Sequence, residues 1–400
     1  MRYKMKEMKT MIYHKRQGKK ATQKRSLISH SFILYFSLFI SQLAFLTACN
    51  SSDGEDQQKP TMLTIYVFSP EQPIITRGDV GPVIASEEEN KVNSLQLWIF
   101  DTSGNKVGYL KTTETATLNT GQGAIYQIPV SDEFAQNKPH VDVYVLANAT
   151  ADNCGISPAL DENTTREALI EQAKITSDHF GLTSESLTTY LPADGDGLPM
   201  AGILKNQPVI GDAPVLRIGN ETNIATVPLT RAVSKMRFFF ANVATAPKLT
   251  ITGITLNGSL IPNEEYLFTQ SKTLTYDANA ASILASSIEV AKKEDPAQYI
   301  YEGQAAQEYE NLMVGAELSL VGPYYLRESG KILTGTITYT VEGMPEPMSA
   351  TFTMKEQGDF LRNHSWIVYA YYEGLSGMQV VTVDVTDWVA KSYNYEVYNW

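Results

Sequence analysis

The sequence predicts an all-β chain of two antiparallel β-sandwich domains with one or two short helices, preceded by an export signal. Three observations predict it. From residue 61 onward apolar residues recur with a period of two, the spacing of half-buried strands. Turn-forming runs such as Asp101-Thr102-Ser103-Gly104 and Asn257-Gly258 punctuate that alternation. A longer stretch rich in turn formers, residues 191–213, precedes a new strand set, and a boundary near residue 225 leaves halves of roughly 150 to 170 residues, each the size of one sandwich with insertions.

The chain begins with residues 1–48, which hold ten basic side chains from Arg2 to Arg25 and one acid, Glu7. The basic stretch runs into Phe32-Ile33-Leu34-Tyr35-Phe36-Ser37-Leu38-Phe39-Ile40 and then Leu46-Thr47-Ala48-Cys49. A positive region, an apolar core and small residues before a cut describe an export signal. The competing reading is a retained membrane helix; Ser31, Ser37, Ser41 and Gln42 interrupt the run, and no positive flank follows it. Leu46-Thr47-Ala48-Cys49 resembles the lipobox of bacterial lipoproteins, in which the cysteine is acylated and becomes the mature N-terminus. Cys49 is the expected lipidation site, because a thiolate is the side chain in this window able to accept a diacylglycerol group. Residues 49–60 are polar and acidic and read as a flexible tether. The run Ser52-Asp53-Gly54-Glu55-Asp56 is similar to the acidic signal that sends some Gram-negative lipoproteins to the outer leaflet.

Beyond the tether, Leu63, Ile65 and Val67 alternate with Thr64, Tyr66 and Phe68 as a first strand. Leu95, Leu97 and Ile99 alternate with Ser94, Gln96 and Trp98, and Val141, Val143 and Val145 with Asp142 and Tyr144. One helix is expected at about residues 164–176, where Thr164 and Glu167 have capping-box spacing. A new strand set opens at Val227 and runs through Val233 to Phe240, which places the domain boundary near residue 225. No repeat is visible at a period of 20 to 50 residues.

Composition removes several classes of function. Lys and Arg number 32 against 44 Asp and Glu, a formal charge of −12, and a nucleic-acid binder would present the opposite sign. Without residues 1–48 the remainder holds 22 basic and 43 acidic side chains, or −21. Two cysteines and five histidines leave no room for a disulfide framework or a Cys/His metal cluster, and no cofactor is expected. With Cys49 lipidated, Cys154 has no intrachain partner. Asp194-Gly195-Asp196-Gly197 has alternating carboxylates but lacks the remaining ligands of a calcium loop, so a solvated turn is expected. His364 and Ser365 near Asp359 do not make a catalytic set, since adjacent strand residues face opposite sides of a sheet. No nucleophile elbow, phosphate loop, zinc motif or dinucleotide fingerprint is present, and no enzymatic activity is expected. The 22 tyrosines are either a binding surface or ordinary strand residues, with Tyr324, Tyr325, Tyr369, Tyr371 and Tyr372 the cluster of interest.

Together these landmarks resemble the fimbrillin family, the pilin-like lipoproteins of type V fimbriae on certain Gram-negative anaerobes. The lipobox matches the family's lipidation site. Leu63 to Phe68 followed by Ile75-Thr76-Arg77 is similar to its first strand and Arg cleavage site. Asn93-Ser94-Leu95-Gln96-Leu97-Trp98-Ile99-Phe100-Asp101 is similar to the opening strand of the mature N-terminal domain, and Leu198-Pro199-Met200-Ala201-Gly202 to a loop late in that domain. Leu229 to Met236 resembles the strand that opens the second domain, and Leu361-Arg362-Asn363-His364-Ser365-Trp366 one near the C-terminus, with Trp388 closing the next.

The resemblance implies two transthyretin-like sandwiches and a structural role: a cell-surface fimbrial subunit at the outer membrane, supporting adhesion and biofilm formation. It implies an Arg-specific protease that cuts at Arg77, other fimbrial subunits as partners, and a host or bacterial surface receptor. The expected divisions are signal 1–48, tether 49–60, propeptide with first strand 61–77, N-terminal domain 78–225 and C-terminal domain 226–400. Removing the first strand would open a groove that accepts a neighbour's strand. The chain end, Ser392-Tyr393-Asn394-Tyr395-Glu396-Val397-Tyr398-Asn399-Trp400, is the expected donor, with Tyr393, Tyr395 and Val397 on one side; the competing reading is that it pairs within its own domain. Cutting after Arg77 would also split Arg77-Gly78-Asp79, which otherwise spells an integrin-binding tripeptide. Alternatives are an anchor subunit that keeps its first strand, a tip subunit without a donor tail, and a surface glycan-binding sandwich lipoprotein that has no use for Arg77.

Overall fold

A computed structural model describes residues 60–68, 88–120, 123–181, 197–243, 246–268, 274–276, 278, 280–284, 286–290, 292–293, 319–354, 361–372, 374 and 377–385. In chain order the first half contains β1 (Thr61–Phe68), β2 (Leu95–Asp101), β3 (Lys106–Thr112), β4 (Ala124–Val130), helix α1 (Asp132–Asn137), β5 (Val141–Ala147), α2 (Ala151–Cys154), α3 (Arg166–Gln172), β6 (Lys174–Ile175), β7 (Met200–Gln207), β8 (Val209–Asp212), β9 (Val215–Ile218), β10 (Thr226–Pro228) and β11 (Thr230–Arg231). The second half contains β12 (Val233–Val243), β13 (Leu249–Leu256), β14 (Glu265–Tyr266), β15 (Ala281–Ser282), β16 (Ile288–Glu289), β17 (Lys292–Lys293), β18 (Ser319–Arg327), β19 (Leu333–Val341), β20 (Met348–Met354), β21 (Ser365–Tyr372) and β22 (Met378–Val385).

The all-β expectation holds, and each half is a pair of facing sheets. In the first, one sheet is ordered β10-β1-β9-β8 with β4 also on β1, and the other is ordered β11-β7-β5-β2-β3. Leu63, Ile65, Val67, Leu95, Leu97, Ile99, Val143 and Val145 fill the core between them. In the second, β17-β12-β21-β22 with β18 on β12 faces β15-β13-β19-β20, around Phe238, Phe240, Ile251, Ile337 and Trp366. Alternation accounts for these cores: β19 reads buried, half-buried, buried along its whole length. A third cluster covers the other face of the β5–β2 sheet. There Trp98, Phe100, Tyr144 and Leu146 pack on Leu169 from α3 and on Val233, Leu267 and Tyr325 from the second half. Burial on both faces leaves every residue of β5 inaccessible.

Four expectations need correction. The sheets are mixed rather than purely antiparallel, since β1 runs parallel to β9 and β10, and β12 parallel to β21 and β17. The change of sandwich lies between Arg231 and Val233, because β10 and β11 still pair with β1 and β7 of the first sandwich. The helix expected at 164–176 is shorter: Thr165 is its N-cap and accepts from the Ala168 amide, while Thr164 Oγ1 accepts from the Asp161 amide at 2.9 Å. The run from Leu198 to Gly202 is not a loop throughout, because β7 begins at Met200. The expected turn after Asp101 is present, with Gly104 at φ +94° and its amide donating to Asp101 O at 3.0 Å. The tyrosine cluster is buried strand material, with Tyr369 1% exposed and Tyr324 donating to Ile283 O at 2.8 Å.

Candidate functional site

The first strand is held on both edges. On one side β1 pairs antiparallel with β4 through seven consecutive register positions, Thr61 with Val130 to Val67 with Ala124. On the other side its first half lies parallel to β9, Met62 with Val215 to Thr64 with Arg217, and its second half parallel to β10, Tyr66 with Thr226 to Phe68 with Pro228. The ends are fixed as well: Met62 N donates to Pro214 O and Phe68 O accepts from Leu229 N, both at 2.9 Å. The strand thus occupies the middle of a sheet, with β4 on one side and, on the other, β10 and the paired strands β9 and β8. Strands pair about 4.8 Å apart, so lifting β1 out would leave a slot about 10 Å wide.

The side chains alternate across this slot. Leu63, Ile65 and Val67 are all 0% exposed and point into the core with Leu97, Ile128, Val143, Leu216 and Val227. Met62, Thr64, Tyr66 and Phe68 face the opposite way, beside Ile125 and Val215, which are more than half exposed. Gly123 is the contact that admits Tyr66, since a Cβ there would lie 2.1 Å from the tyrosine ring. Tyr126, paired with Ile65, turns its ring into the core, and burial pushes its phenol up to about 12. Its hydroxyl has no hydrogen-bond partner among the described residues. Burying three aliphatic side chains contributes roughly 5 to 9 kcal/mol, comparable to the net stability of a domain. A sandwich without this strand has a strong drive to acquire another.

Cys49, Arg77, Tyr393, Tyr395, Val397 and Trp388 lie outside the described residues, as do Asp194, Gly195, Asp196 and Asp359. Gly197 is described, and it has a packing role: its φ is +71° and a Cβ would meet Asn148 Nδ2 at 2.3 Å. Among the described residues no group of three His, Cys, Asp or Glu could hold a metal ion. A cleft beside β2 and α2, lined by Gln96, Lys111, Leu146, Thr150 and Leu160 among others, has a volume of about 160 Å³. Small-molecule pockets are usually about 300 Å³ or more. With β1 removed, the first sandwich would present main-chain edges on both sides and the apolar side chains that Leu63, Ile65 and Val67 cover.

Sequence reasoning located β1 but missed β9 and β10 as its partners. Their signal was weak: Val215-Leu216-Arg217-Ile218 alternates in exposure but not in residue type, and Thr226-Val227-Pro228 is only three residues long.

No protein-family model matches the chain, and no curated protein is matched. Solved structures similar to it include a cell-adhesion candidate from Parabacteroides distasonis, 13% identical over 83% of this chain and 98% of that one, with a TM-score of 0.48. The tip fimbrial protein Mfa3 from Porphyromonas gingivalis with C-terminal truncation is 13% identical over 81% of this chain and 98% of that one, with a TM-score of 0.44. A fimbrial assembly protein from Parabacteroides distasonis is 12% identical over 82% of this chain and 97% of that one, with a TM-score of 0.41.

Proposed function

We propose that this chain is a structural subunit of a cell-surface fimbrium, exported as a lipoprotein acylated at Cys49, cut at Arg77 by an Arg-specific protease and polymerised by strand exchange. The observation that carries the reading is the position of β1. A strand near the N-terminus forms the middle of a sheet, buries Leu63, Ile65 and Val67 completely, and is linked to the rest of its domain by residues 69–87. One cut in that link frees the strand covalently, and the slot it fills offers unpaired edges on both sides to a replacement. The replacement must run antiparallel to β4 and parallel to β9 and β10, with apolar side chains at alternate positions. The tail carrying Tyr393, Tyr395 and Val397 supplies the alternation, and its tyrosines are larger than the Leu63 and Ile65 they would replace.

The test is to treat residues 50–400 with an Arg-specific protease and read mass and oligomeric state. A cut at Arg77 followed by SDS-resistant ladders is expected, and deletion of residues 391–400 should abolish the ladder. No cut, or a cut without change of state, rejects the stalk-subunit reading in favour of an anchor subunit or a glycan binder. Ladders that survive the deletion reject the tail as donor.

A further inference from the structure

Between β1 and the rest of the first sandwich lies a short segment, residues 88–94, that belongs to no sheet and yet has most of its main-chain groups from Lys91 O to Ser94 O hydrogen-bonded. Asn148, 1% exposed at the end of β5, supplies much of what a neighbouring strand would. Its Oδ1 accepts from the amides of Asn93 at 2.7 Å and Ser94 at 3.3 Å. Its Nδ2 donates to Lys91 O at 2.7 Å and Leu198 O at 3.0 Å, and its own amide donates to Ser94 O at 3.1 Å. Asn119 takes the Val92 amide at 2.6 Å and donates to Val92 O at 3.0 Å, where Thr115 Oγ1 also donates at 2.6 Å.

The same segment reaches the second sandwich through side chains. Glu89, 2% exposed, pairs with Lys235 Nζ at 2.6 Å and accepts from the Tyr325 hydroxyl. Arg231, wholly buried, donates from Nε to Glu89 O at 3.1 Å, from Nη1 to Asn363 Oδ1 at 3.0 Å, and from Nη2 to Asn90 Oδ1. If residues 88–90 were lost, Arg231 and Lys235, both buried, would each lose a charged or polar partner on this segment.

We propose that residues 88–94 are a fixed clasp between the two sandwiches, which stays in place when β1 is withdrawn and closes the Lys91–Val92 bond to proteolysis. The part about withdrawal rests on the fimbrial reading; the part about protection does not. Arg77 and Lys91 are the two basic residues in the sequence between β1 and β2. A protease binds its substrate as an extended strand with open main-chain groups. At this bond Lys91 O, Val92 N and Val92 O are already taken, so the folded chain closes it to a protease and leaves Arg77 as the basic site of trimming.

The experiment uses the full-length protein in detergent. Trypsin should cut the Lys91–Val92 bond at least about a hundredfold more slowly than in the urea-unfolded chain, and the amides of Val92, Asn93 and Ser94 should resist hydrogen exchange, before and after a cut at Arg77. Asn148→Gly removes the side chain while accommodating the local φ of 55°, and should speed cleavage at Lys91 at least about tenfold with the circular dichroism spectrum unchanged. Equal cleavage of native and unfolded chains, or free exchange at 92–94 in the Arg77-cut protein, overturns the clasp. Should Asn148→Gly not fold, exchange in the unmodified protein decides. Protected amides in a subunit that never polymerises reject the stalk-subunit reading alone; unprotected amides in one that polymerises reject the clasp alone.

Discussion

Ile65 sits at the centre of β1, wholly buried, where its two parallel neighbours β9 and β10 hand over from one to the other. Truncation to Ala should cost about 2 to 5 kcal/mol, since the gap lies between two sheets that are otherwise close-packed. Urea denaturation of the uncut chain measures this, and a loss below about 1 kcal/mol would mean that β1 is not seated as described. Glu265 is a different kind of buried residue. Burial pushes its carboxyl up to about 7, with Glu328 adding to the effect and Arg362, 3.0 Å away, opposing it. The folded chain therefore holds a proton that the unfolded chain has released. Its stabilising effect is fully present below the ordinary value of 4.5 and is lost as pH rises through about 7. Stability should fall by an amount on the order of 1 to 3 kcal/mol across that window, and Glu265→Gln should flatten the slope. Unfolding midpoints at both ends of the window decide it; identical slopes in the two proteins would reject the assignment.

At the scale of elements, the two sandwiches repeat one arrangement about 170 residues apart. In each, the opening strand, β1 or β12, lies between an antiparallel partner, β4 or β18, and a parallel one, β9 or β21. Period-two alternation revealed the strands but not this pattern, because parallel and antiparallel neighbours place side chains on the same two faces. That is why β1 was legible in the sequence and its parallel partners were not. Tyr324 and its aromatic neighbours were ambiguous for another reason: alternation does not say whether a sheet's second face is covered. Gly197 shows what a turn-rich motif conceals. Its composition suggested a solvated loop, whereas its φ is positive and a Cβ added there would lie 2.3 Å from Asn148 Nδ2 and 2.8 Å from Lys91 O, which places it against the clasp. Gly197→Ala is expected to destabilise by about 1 to 3 kcal/mol from strain and overpacking, with exchange at residues 91–94 accelerated more than in β19. Uniform acceleration would show that the effect is not local.

The whole molecule raises the question of whether two sandwiches of like topology melt separately. Each has its own core, yet polar seams flank the shared cluster around Trp98 and Tyr325. At one seam Arg231 is buried with Glu89, Asn90 and Asn363, and burial brings its guanidinium down to about 10. At the other, Arg327 of β18 donates to Pro262 O and Thr176 O, both at 2.9 Å, and β14 pairs with β6 across the halves. Neither arginine can be left without its partners cheaply, since a stranded buried charge costs about 3 to 5 kcal/mol. Unfolding one sandwich would strand groups on the other, so the intact chain should unfold in a single calorimetric transition. Replacing both arginines, Arg231→Met with Arg327→Met, removes the charges that enforce this and should split the transition in two. A wild-type chain with two separate transitions, or a double variant that keeps one, would show that the apolar cluster alone sets the coupling. In a filament the same coupling would carry load applied at the β1 slot into the second sandwich.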